Sequence, residues 1–112
     1  MKSASRHWVV QRLTAIALIP LTIWFLVSLF LLPDMAWLTV RSWIAAPLNA
    51  FLLGSMVVIL CWHSLLGIQV VVEDYIHHRV ANATTLLMST FLHILTGAAA
   101  LLSVLKIASG VS

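Results

Sequence analysis

Near the middle of an apolar run in this 112-residue chain stands His63, with Gly67 one helical turn beyond it and Asp74-Tyr75 eleven and twelve residues on. A neutral imidazole is an axial nitrogen ligand for haem iron, and a missing side chain one turn away lets a flat macrocycle approach the helix backbone. At 100° per residue, Met56, Ile59, His63, Gly67, Val70 and Asp74 fall within one narrow stripe. Asp74 and Tyr75 lie about 16 to 18 Å along that helix from His63. A tyrosine hydroxyl at such a boundary can donate to a quinone carbonyl, and an aspartate can orient it or relay protons from water. Two blander readings stand beside these. His63 can bond a backbone carbonyl in a packed bundle, and Tyr75 can serve only as an interfacial anchor.

The elements that hold these residues are membrane spans. The chain is 62% apolar and 8% charged, far below the roughly 25% charged residues of a soluble domain. Apolar stretches run over 13–32, 48–72 and 83–107, free of Asp, Glu, Lys and Arg except Lys106. Each reaches the ~20 residues needed to cross a bilayer core of ~30 Å. An ionisable residue in such a span is expensive and reads first as a functional site. The fold expected is therefore all-α: one transmembrane domain over 1–112, three helices in an up-down-up bundle. The first apolar run exceeds the length of a signal-peptide core and Pro33-Asp34 follows it, not a small-residue cleavage site, so it is expected to remain as a helix. Pro20 is expected to kink it, and Gly97-Ala98-Ala99-Ala100 to let the third span approach a neighbour closely.

The formal charge of +3 comes from basic residues that flank the spans and form no patch, so it does not point to nucleic acid. With the N-terminus inside, Lys2, Arg6, Arg12 and Arg79 fall on the inner side and Arg41 and Lys106 on the outer, which favours N-in and C-out. No P-loop, dinucleotide-binding glycine run, CxxC or HExxH is present. Chemistry here requires a bound cofactor or a membrane-soluble substrate. Cys61, mid-span and alone, reads as a packing residue. Trp8, Trp37 and Trp43 are expected near the headgroups, and Trp24 and Trp62 between helices. The stretch from Pro33 to Pro47 reads as interfacial, and the second connection as Glu73 to Asn82.

The string His63-x-x-x-Gly67-x-x-x-Val71-x-x-Asp74-Tyr75, with Gln11-Arg12-x-Thr14-Ala15 opening the first span, resembles the smaller hydrophobic anchor subunits of succinate dehydrogenase, the D-type cytochrome b subunits of complex II. The resemblance covers essentially the whole chain. It implies a bacterial cell inner membrane, or a mitochondrial one, and a chain without catalytic activity by itself. It also implies partners: a flavoprotein subunit, an iron–sulfur subunit and a second cytochrome b anchor subunit. A haem b would lie between the two anchors, with one axial histidine from each, and ubiquinone would be reduced close to the iron–sulfur subunit. By position, His63 would be the axial ligand, Tyr75 the quinone donor and Asp74 its acidic neighbour. Arg12, otherwise a snorkelling anchor, would meet a haem propionate or the rim of the quinone pocket. His7, His77 and His78 read as solvated, the last two also as a docking surface for the iron–sulfur subunit.

His93 also begins an H-x-x-x-G run, ending at Gly97, and has no role in that resemblance. It opens two alternatives: a self-contained cytochrome b ligated by His63 and His93, or a structural membrane protein in which both histidines only pack.

Overall fold

The computed structural model describes residues 2–110, with side chains from Ser5 onward; the side chain of Lys2, counted above among the inner charges, lies outside the described residues. Four helices follow in order: α1 (Lys2–Leu31), α2 (Trp37–Ala45), α3 (Pro47–Tyr75) and α4 (Arg79–Ser109). The stretches Ser5–Leu31, Pro47–Tyr75 and Arg79–Ser109 are each long and apolar enough to cross a membrane. The expected three-span helical bundle is the observed one, and the chain is a multi-pass membrane protein.

The helices outrun the apolar stretches at both polar ends of the sequence. Hydropathy marks only the hydrocarbon depth, whereas a helix entering the headgroups keeps its backbone bonded to itself. The second connection consequently shrinks from the expected Glu73–Asn82 to 76–78. Two side chains close it. Asn82 Nδ2 donates to the carbonyls of Ile76 at 2.8 Å and Val72 at 3.4 Å, and His78 caps α4 by accepting the Ala81 N–H at 3.2 Å. These bonds satisfy groups that a helix end leaves open, and they fix the last turn of α3, where Asp74 and Tyr75 sit.

The stretch expected to be interfacial holds α2, a short helix. Asp34 Oδ1 accepts the Ala36 N–H at 3.0 Å ahead of it. Hydrogen bonds from Thr39 and from that amide hold the Asp34 carboxyl below the usual carboxylate range. Trp43 of α2 stacks on Trp24 of α1 with ring centroids 5.4 Å apart, and Asn49 Nδ2 donates to the Trp43 carbonyl at 2.9 Å across the turn into α3. Pro47 opens α3 at a position that tolerates the missing N–H.

α3 is the central helix. It packs against α1 on one side and α4 on the other, while among the described residues the backbones of α1 and α4 do not come close. α1 runs unbroken through Pro20. α3 and α4 come close at Gly97, where an added Cβ would lie 3.0 Å from Cys61 Sγ; glycine allows the contact. Trp24 packs between helices as expected, but Trp62 does not: it is exposed on the open face of the α3–α4 pair. Among the described residues, buried apolar side chains are few (Leu18, Leu66, Val72 and Val104). In lipid, apolar burial supplies no drive for helix association, so close packing and interhelical hydrogen bonds must hold the bundle.

Candidate functional site

Because α3 is flanked on two sides, adjacent residues on it face different helices. His63 turns toward α1, where its Nδ1 lies 2.9 Å from Oγ1 of the buried Thr14. Ser64, one residue on, turns toward α4 and meets Nε2 of His93 at 3.0 Å. The other nitrogen of His93, Nδ1, donates to the Ser89 carbonyl at 2.7 Å. Both nitrogens of His93 are thereby engaged. His63 keeps Nε2 without a hydrogen-bond partner among the described residues. In the tautomer with the proton on Nδ1, that nitrogen carries a lone pair available to a ligand.

His63 lines a groove of about 790 Å³ between α1 and α3, within the roughly 300–1,000 Å³ span of small-molecule and cofactor sites. Gly67, Val70 and Glu73 continue its wall along α3, and His7, Trp8, Gln11, Arg12 and Ala15 form the α1 side. The Arg12 guanidinium lies 5.3 Å from the centroid of the Trp8 ring, a cation–π contact that holds a positive charge at the groove. Oε1 of Gln11 is buried without a partner, and Nε2 of Gln11 stands 3.4 Å from where a Cβ on Gly67 would be. Gly67 therefore keeps the wall low one turn from the imidazole.

The sequence-level site residues do not all converge. His63 and Arg12 line one groove, whereas Asp74 and Tyr75 lie outside its lining and are exposed at the end of α3, Tyr75 at 79%. The acidic residue at the groove is Glu73. Helical spacing from His63 favoured Asp74 for that stripe, but the wall follows the crossing of α1 over α3 and not the axis of α3 alone. His7 and Gln11 also join the groove. Their spacing to Ala15, i, i+4 and i+8, was the available signal.

Residues 1–103 match the model of the succinate dehydrogenase/fumarate reductase transmembrane subunits. The chain belongs to that family. Among curated proteins it is similar to the succinate dehydrogenase hydrophobic membrane anchor subunit of Rickettsia bellii, 34% identical over 96 residues, covering 85% of this chain and 76% of that protein. The anchor subunits of Rickettsia conorii and Rickettsia prowazekii are each 33% identical over 92 residues, covering 80% of this chain and 73% of theirs. No solved structure matches. The chain is thus a succinate dehydrogenase membrane anchor subunit.

Among the described residues of this anchor, no three His, Cys, Asp or Glu side chains converge to hold a bare metal ion. The residues at the groove are chemically compatible with a haem. One imidazole nitrogen free at a groove, a wall lowered by glycine and a guanidinium able to pair a carboxylate are what a macrocycle with its own four nitrogens and two propionates requires.

Proposed function

We propose that this chain holds one side of a b-type haem through Nε2 of His63 and contributes Asp74 and Tyr75 to a ubiquinone-reduction site completed by other subunits. The observation that carries the reading is the free Nε2 of a mid-span histidine on a groove of cofactor size. When bound, the haem would supply one-electron storage. Arg12 and His7 at the groove give cationic or hydrogen-bonding partners for propionates, and Trp8 steadies Arg12. The Tyr75 hydroxyl, exposed on this chain, donates to a quinone carbonyl once a partner covers it, and Asp74 orients it or passes it protons.

The partners are the flavoprotein and iron–sulfur subunits, docked on the inner face, and a second anchor subunit that lies over the α1–α3 groove. The membrane is the bacterial inner membrane, or its mitochondrial counterpart, with the N-terminus inside. By this reading the chain catalyses nothing alone.

The haem's other ligand would come from the partner anchor and not from His93. Both His93 nitrogens are occupied, and Ser64 and His63 point to opposite neighbours of α3. His93→Leu in the assembled complex should keep an unchanged low-spin b-type spectrum. It should lose only a little thermal stability, since interhelical bonds of this kind in membranes average about 0.6 kcal/mol. A high-spin or haem-free spectrum in that variant would instead return the self-contained two-histidine cytochrome.

A further inference from the structure

The environment of His63 carries one step more. Thr14 Oγ1 has a single hydrogen and three partners: the Val10 carbonyl at 2.9 Å, the Gln11 carbonyl at 3.0 Å and His63 Nδ1 at 2.9 Å. The two carbonyls can only accept, so bonding to them uses the hydroxyl's one hydrogen. All three contacts are satisfied together only when His63 Nδ1 carries the proton and donates it to the threonine oxygen. In the other tautomer the hydroxyl would have to turn its one hydrogen onto Nδ1 and give up its bonds to the Val10 and Gln11 carbonyls. Thr14 is 6% exposed, so no bulk water competes for the bond.

We infer that Thr14 is a positioning residue for His63: its backbone-anchored hydroxyl holds the proton on Nδ1, orients the ring, and so directs the Nε2 lone pair away from α1 as a ligand. Outer partners of this kind fix a ligating imidazole's tautomer and raise its basicity, and losing one typically costs 10- to 100-fold in metal affinity. The same bond joins α1 to α3 at the depth of the groove, so the register of these two helices and the state of the imidazole are set together. The inference rests on the haem reading above and adds to it a residue on a different helix from the ligand.

The test compares Thr14→Val, Thr14→Ala and Thr14→Ser with His63→Ala in the assembled complex. Haem content, low-spin electron paramagnetic resonance and the haem midpoint potential are measured. Thr14→Val keeps the shape and removes the oxygen; it should shift the potential upward, because a less basic imidazole stabilises the ferric state less. Its haem retention under competition should fall by roughly 10-fold or more. Thr14→Ser, which restores the oxygen, should return both values toward those of the parent. Unchanged potential and resonance in Thr14→Val and Thr14→Ala overturn the positioning role while leaving the haem reading intact. So does failure of both hydroxyl-free variants to assemble while Thr14→Ser assembles normally, since that makes the contact a structural one. Retention of an unaltered haem in His63→Ala brings down the underlying ligand assignment instead.

Discussion

His63→Ala should strip the b-type haem from the assembled complex while leaving the three spans inserted. The substitution removes the nitrogen proposed as one of two axial ligands. Even residues that act on a metal only through a ligand change affinity 10- to 100-fold, so haem content after detergent extraction should drop by at least roughly 10-fold. The spans depend on apolar length and not on this imidazole. What the bundle loses is the Thr14–His63 bond between α1 and α3, about 0.6 kcal/mol for an average interhelical bond in lipid. Succinate oxidation by a water-soluble artificial acceptor should continue, because that chemistry belongs to other subunits. Difference spectra and the acceptor assay on one preparation check both halves. An unchanged b-type spectrum would remove His63 from the site.

Tyr75→Phe should lower quinone reduction selectively. The change keeps the ring at the end of α3 and its anchoring at the interface, and removes only the hydroxyl. Losing one hydrogen bond to a bound ligand costs about 1 kcal/mol, roughly 5-fold, and more where charge develops on the acceptor during reduction. Tyr75 lies about 18 Å along the helix from His63, outside the α1–α3 groove, so haem content should not change. Reduction of an artificial acceptor should also be spared. Equal loss of both activities would indicate failed assembly, and full retention of quinone reduction would leave Tyr75 as a membrane anchor.

The spans and the candidate ligand could be read from the sequence because their causes are local. Uninterrupted apolar length decides what crosses a bilayer, and a histidine inside such a length stands out whatever surrounds it. Gly97 was legible for the same reason: a small residue in a span marks where a neighbour can come close. What the sequence did not reveal depends on which helix lies on which side of α3. His63 and Ser64 differ by 100° around the helix, and only the placement of α1 and α4 assigns one to Thr14 and the other to His93. The pairing of Thr14 with His63 joins positions 49 apart in sequence, and no short-range spacing predicts it. The place of Glu73 rather than Asp74 at the groove follows from the crossing of two helices, which a single helical wheel does not contain. Trp62 differs from expectation because depth in a span does not by itself imply a neighbour; its indole is exposed on α3. Helix ends escaped because polar residues in the headgroup layer remain helical, with Asn82 and His78 bonding the turn.

The most direct measurement of the central claim is a reduced-minus-oxidised spectrum, with flavin and iron assays, on material purified from detergent-solubilised membranes through a tag on this chain. The account predicts a low-spin b-type haem that co-purifies with covalent or tightly bound flavin, iron–sulfur centres and succinate–quinone reductase activity. A complex with that activity but no haem would contradict the role of His63. A haem-replete chain migrating without flavin or iron–sulfur centres would contradict the shared haem site and restore the self-contained cytochrome.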